Sequence, residues 1–170
     1  MKSSNAIMAN TVSSKNQLDV NEYVTLIESD KKDKIKILFV GNSITKHAPS
    51  SEIGWFGNWG MAASSTENDY VHQTVKKLKE IYNGVSYCIC QASEWENNYK
   101  NDVVPYDLFF KAREFCADSI VMRLVENCKV KEFDEVCFKK EYKKLIDYLN
   151  CNKNARVILT TSFWHHDKAD

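Results

Sequence analysis

Four short apolar runs, at residues 35–40, 85–90, 119–125 and 156–163, constrain this chain more than any other feature. Each is too short for a buried helix and rich in β-branched or aromatic residues; the first, with Ile35, Ile37, Leu38, Phe39 and Val40, ends at Gly41. The first reads as a buried strand and the other three as further strands. Helical patterns lie between them. Val71, Val75, Leu78 and Tyr82 share one helical face, opening near Thr66-x-x-Asp69 and closing at Asn83-Gly84. Pro105 suits the first turn of a helix carrying Leu108, Ala112 and Phe115, and Phe138, Tyr142, Leu145 and Leu149 mark another. Strands alternating with helices predict an α/β domain of three layers, a parallel sheet covered by helices on both faces. All strand C-termini then lie along one edge, where ligands bind in such sheets. Upstream, residues 1–17 are polar and read as a flexible tail, leaving one domain over 18–170. Asp19 and Glu22 form a cap-like start, and Val20, Tyr23, Val24 and Ile27 follow at helical spacing, which predicts a helix before the charged stretch 29–34.

Lys+Arg and Asp+Glu are equal at 23 each, so no basic excess draws the chain to a phosphate backbone, and nucleic acid is not expected as a main partner. No apolar run approaches the ~20 residues of a membrane span. Residues 1–15 contain no apolar segment of a secretory signal, which points to the cytoplasm. Among six cysteines, Cys88 and Cys90 alternate within a strand-like run, while Cys116, Cys128, Cys137 and Cys151 are scattered. Without a CxxC pair no zinc site is expected, and the thiols are expected reduced and mostly buried. No cofactor is implied, and the oligomeric state is left open.

The ligand edge collects most of the chemically capable residues. After the first strand come Asn42, Ser43, His47, Trp55 and Trp59; after the second, Ser93, Glu94, Trp95 and Glu96; after the third, Glu126 and Asn127; after the fourth, Trp164, His165, His166 and Asp167. All four tryptophans and three of the four histidines fall there, which predicts an aromatic-lined cleft. Residues 43–65 make an unusually long strand-to-helix connection, punctuated by Gly54, Gly57 and Gly60 and carrying Trp55, Phe56 and Trp59. It reads as an ordered loop forming one pocket wall.

A serine directly after a buried strand stands where substrates arrive, and its hydroxyl becomes a nucleophile when a base takes the proton and donors stabilise the oxyanion. Gly-x-Ser-x-Gly is absent, so the α/β-hydrolase elbow does not match. The stretch Ile37-Leu38-Phe39-Val40-Gly41-Asn42-Ser43-Ile44-Thr45 resembles the first block of SGNH/GDSL hydrolases, where Gly-Asp/Asn-Ser carries the nucleophile. Its continuation, His47-x-Pro49, Ile53-Gly54-Trp55 and Trp59-Gly60-Met61-Ala62-Ala63-Ser64, is similar to a bacterial subgroup. The resemblance spans about residues 18–168. It implies a flavodoxin-like sheet and ester hydrolysis through an acyl-serine on a small-molecule ester, such as an acylated carbohydrate.

Carried over by position, Ser43 matches the nucleophile, and Asn127 in Arg123-Leu124-Val125-Glu126-Asn127 matches the family's oxyanion asparagine. The second block normally offers a glycine N–H; here Ala92 or Ser93 stands in, with Gly60 as a rival donor. Asn42, His47, Trp55, Trp59, Trp95 and Glu94 are the substrate-binding candidates. The family's base belongs to an Asp-x-x-His block beyond a fifth strand. His165 and His166, with Asp167 beside them, are alternatives, but their position resembles the end of the fourth strand. The chain is therefore expected to lack its last strand, last helix and base. Two other readings remain: a non-catalytic domain with an aromatic cleft for a sugar or acyl ligand, and a metal-dependent hydrolase using His47, His165, His166 and Asp167.

Overall fold

The computed structural model describes residues 22–32 and 34–164. The tail expected at 1–17 and the residues His165, His166 and Asp167 lie outside the described residues. Five strands form one sheet: β1 (Val24–Ile27), β2 (Lys34–Gly41), β3 (Gly84–Gln91), β4 (Ser119–Met122) and β5 (Arg156–Leu159), in spatial order β1-β3-β2-β4-β5. Four helices accompany them: α1 (Tyr70–Lys79), α2 (Ser93–Asn98), α3 (Phe110–Glu114) and α4 (Glu135–Leu149).

The four strands expected from the apolar runs are present, and β2 to β5 are mutually parallel. The sheet as a whole is mixed. β1 runs antiparallel to β3, with Val24 opposite Cys90 and Ile27 opposite Tyr87, which overturns both the all-parallel, flavodoxin-like sheet and the helix expected around residues 19–27. All eight residues of β3 are buried, so its outer row of backbone N–H and C=O groups needs a protein partner. The β-favouring sequence Val24-Thr25-Leu26-Ile27 supplies one, and tertiary pairing overrides a helical spacing that spans only two turns.

The pleat of β2 separates two cores. Leu38 and Val40 face Cys88, Cys90, Ile120 and Met122, together with the side chains of α2, α3 and α4. Ile37 and Phe39 face the other way, with Val85, Tyr87 and Ile89, against Val71 and Val75 of α1. Helices thus cover both faces, as expected, with α1 alone on the second. Asp69 caps α1 by accepting from the His72 N–H, and Asp134 caps α4 through the Cys137 N–H. One expectation about the cysteines fails: Cys116, after α3, and Cys151, after α4, form a disulfide with Cα atoms 5.7 Å apart. Two residues scattered in sequence are adjacent because α3 and α4 pack side by side on the same face. Cys88, Cys90 and Cys128 are free and buried.

The topology locates one position above the rest. From β2 the chain crosses to β3 on one side by way of α1, then returns past β2 to β4 on the other side. The loops leaving β2 and β4 therefore depart toward opposite faces. The crevice between them is the topological switch point, and Ser43 stands on its β2 side.

Candidate active site

Ser43 owes its position to a tight turn closed by Asn42. The Asn42 carbonyl accepts from the N–H groups of Thr45 and Lys46 at 2.8 and 3.0 Å, and Asn42 Oδ1 accepts from the Ile44 N–H at 3.2 Å. Gly41 is required immediately before it, because a Cβ there would overlap the Thr45 hydroxyl and press on the Arg123 carbonyl. The Ser43 carbonyl accepts from the Met61 N–H, which ties the turn to the long loop. Ser43 N–H makes none of the turn's hydrogen bonds. The Ser43 Oγ is buried and has no hydrogen-bond partner. Such a group costs about 1–3 kcal/mol and calls for an explanation.

Beside this turn lies a buried pair of carboxylates. The two hydrogens of the Asn42 amide both go to carboxylates, at 3.0 and 3.2 Å to the two oxygens of Glu96 and at 2.6 Å to Glu126 Oε2. Glu96, in α2, also accepts from the Val125 N–H and, at 2.5 Å, from Asn127 Nδ2. Glu126 is held by Arg123 at 2.8 Å and by the Phe163 N–H at 2.7 Å. Burial, with the charge of Glu126 alongside, pushes the Glu96 carboxyl up to about 7, although its three donors work in the opposite direction. Val125 takes φ 141°, a region almost reserved for glycine, so a β-branched residue is held there against its preference.

The structure brings Asn42 and Asn127 onto one carboxylate and places Ser43 next to Asn42. It assigns other work to most of the remaining sequence candidates. Asn42 has both amide hydrogens committed to Glu96 and Glu126, so it shapes the turn rather than meeting a substrate. The three backbone donors considered for the oxyanion are engaged: Ala92 N–H donates to the Gly41 carbonyl at 2.6 Å, Ser93 N–H to Gln91 Oε1 at 3.0 Å, and Gly60 N–H to Asp69 Oδ2 at 3.4 Å. Trp95 is fully buried against Tyr99, Phe138 and Tyr142, a core residue of the α2–α4 packing. Glu94 accepts from Asn98 at 3.1 Å. Trp55 and Trp59 pack edge to face on each other in the long loop, with indole N–H groups donating to the His47 and Ala63 carbonyls. That loop is ordered, as expected, and Gly60 is obligatory within it because a Cβ would strike the Ile44 carbonyl.

His47 is wholly buried, its Nδ1 2.5 Å from the Ala48 carbonyl and its Nε2 without a partner. Burial lowers its pKa, partly offset by the Ala48 bond, so the imidazole is neutral with a lone pair on Nε2. No hydrogen bond joins it to Ser43, which likewise has no partner.

A cleft of 620 Å³ adjoins the turn through Ile44 and Arg123, with neither Ser43 nor Asn127 in its lining. Phe39, Val121 and Ile44 form an apolar floor, while Gly60, Tyr70, Arg123 and Phe163 form its walls. No tryptophan lines it, contrary to the expected aromatic cleft, whose rings are instead Phe39, Tyr70 and Phe163. The Arg123 guanidinium lies 5.9 Å from the Tyr70 ring and 5.6 Å from that of Phe163. The sequence placed Glu96 and Glu126 at the ligand edge without assigning them a role, and Arg123 only within the segment that carries Asn127. No spacing links residues 42, 96 and 126; only the return of the chain across β2 does. Asp69 with His72, at 2.8 Å, was also missed, although a capping acid three residues before a histidine is a legible sign. Among the described residues no group of three or more His, Cys, Asp or Glu side chains could hold a metal ion, and no helix is long and apolar enough to cross a membrane. The chain matches no protein-family model, no curated protein and no solved structure.

Proposed function

We propose that the chain is a serine ester hydrolase of the SGNH/GDSL type, with Ser43 as nucleophile and Asn127 as a side-chain oxyanion donor, acting on a small-molecule ester such as an acylated carbohydrate. The observation that carries this reading is the buried, partnerless Ser43 hydroxyl at the switch point. In the reaction Oγ attacks the ester carbonyl and its proton passes to a base. The bond to the alcohol then breaks to leave an acyl-serine, and water releases the acid. Charge developing on the carbonyl oxygen is met by N–H donors, with Ser43's own N–H as the backbone one.

Among the described residues no imidazole is hydrogen-bonded to Ser43. A fluorophosphonate probe takes the place of the ester: Oγ attacks phosphorus, fluoride leaves, and a phosphonyl-serine remains. The test is mass-spectrometric mapping of that label. Labelling at Ser43 that disappears in Ser43→Ala is expected; equal labelling of both proteins overturns the reading.

The apolar cleft favours a second reading: a binding domain that holds an acyl or sugar ligand without turning it over. Saturable ligand binding by calorimetry without ester cleavage or serine labelling selects it.

A further inference from the structure

We propose that Glu96 is a positioning residue, a buried carboxylate that clamps the nucleophile turn and the Asn127 loop together. The proposal rests on the hydrolase reading of Ser43 and Asn127. Three chain segments meet at this side chain. From the turn after β2 comes the Asn42 amide; from the loop after β4 come the Val125 N–H and Asn127 Nδ2; the carboxylate itself stands on α2, after β3. These are the loops following the three adjacent strands β3, β2 and β4. No backbone hydrogen bond links the Asn42–Lys46 turn to residues 125–127, so Glu96, with Glu126 on the shared Asn42 amide, supplies the polar link between them.

The strained backbone at Val125 supports this assignment independently. A β-branched residue at φ 141° turns its N–H onto Glu96, a conformation that persists only where its surroundings over-determine it. Glu96 is 1 % exposed, so the cost of burying a carboxylate is met by donors from both loops. A purely structural side chain at this place would be apolar, like its neighbour Trp95. What the carboxylate adds is direction: it accepts from Asn127 on one side and from Asn42, one residue before Ser43, on the other.

The experiment is a double-mutant cycle on fluorophosphonate labelling of Ser43, with Glu96→Gln, Asn127→Ala and the double variant compared at saturating probe. Glu96→Gln is expected to lower the limiting rate constant about tenfold, less than the ~10²–10³ that follows removal of an oxyanion donor outright. Half-saturating probe concentration stays unchanged, and the double variant is no slower than Asn127→Ala alone. Wild-type labelling rates in Glu96→Gln, or losses that multiply, overturn the clamp while leaving Ser43 as nucleophile. A wild-type chain that is not labelled at all overturns the hydrolase reading and the clamp with it. Should Glu96→Gln fail to fold, Asn127→Ala alone is decisive, because Asn127 is only half-buried. Removing that donor from the shared carboxylate is expected to move the Asn42 side-chain amide resonances; unmoved resonances overturn the clamp.

Discussion

Consider the proton balance of Glu96. In the folded protein its carboxyl titrates at about 7 against an ordinary 4.5, because burial and the neighbouring Glu126 both disfavour the charge. At about 1.4 kcal/mol per pH unit, that displacement corresponds to about 3 kcal/mol. Its sign follows from which state holds the proton more tightly. Between pH 4.5 and 7 the unfolded chain has released this proton while the folded chain retains it. The stabilisation is complete below 4.5, declines as pH rises, and is gone above 7. His47 works in the opposite direction, since its folded pKa is lowered by burial and its contribution is lost as pH falls. The profile of the wild-type protein alone therefore mixes the two, whereas its difference from Glu96→Gln isolates Glu96.

Glutamine reproduces the shape of the protonated acid and cannot ionise. The hydrogen bonds lost to the glutamine NH2 cost the same at every pH, so near pH 5 the two proteins differ by that fixed amount alone. By pH 8 the wild type should have lost about 3 kcal/mol relative to Glu96→Gln, equivalent to about 6–12 °C in Tm for a chain of this size. Urea or thermal unfolding followed by circular dichroism from pH 5 to 8.5 measures this difference. Parallel curves across the range would refute the reasoning, since they would mean that folding leaves the proton affinity of Glu96 unchanged.

Other positions give independent checks. The Cys116–Cys151 bond closes a loop with a sequence separation of 35, for which chain entropy gives about 3–4 kcal/mol; Cys151→Ser should lose that much in non-reducing urea titrations, and thiol titration of denatured wild type should count four free groups. Trp95→Ala empties the centre of the α2–α4 aromatic cluster and should cost about 3–5 kcal/mol by thermal unfolding. Val125→Gly loses a buried side chain but relieves a backbone strain of about 1–3 kcal/mol. Its net cost should stay below that of Val40→Gly, which removes an equally buried valine without relieving any strain.

The strands after the N-terminal segment were legible because each is a short run of apolar, β-favouring residues, whether buried throughout as in β3 or largely exposed as in β5. The caps of α1 and α4 have the same local character, with Asp69 and Asp134 each accepting from an N–H three residues on. β1 was not legible, because Val24 and Ile27 satisfy both a helical spacing with Val20 and Tyr23 and a strand. The deciding factor, the open edge of a fully buried β3, is a property of the assembled sheet. The disulfide escaped for a related reason, since Cys116 and Cys151 become neighbours only when α3 and α4 pack together.

The site divides along the same line. Ser43 and its turn are encoded within a few residues: Gly41 admits the close approach of Thr45, and Asn42 closes the turn with its own carbonyl and Oδ1. What surrounds the serine is not encoded locally. The resemblance offered Ala92, Ser93 and Gly60 as oxyanion donors, and each N–H already has another acceptor: the Gly41 carbonyl, Gln91 Oε1 and Asp69 Oδ2. Local reading took Glu96 and Glu126 only as residues of the edge, and these are the groups through which the turn after β2 and the loop after β4 are joined. Backbone donors near a nucleophile are therefore a poor guide to an oxyanion site until their other acceptors are accounted for. A buried acid beside an asparagine is the better one, because a carboxylate taken out of water must be surrounded by donors, and those donors come from loops that have to keep a fixed relation to one another.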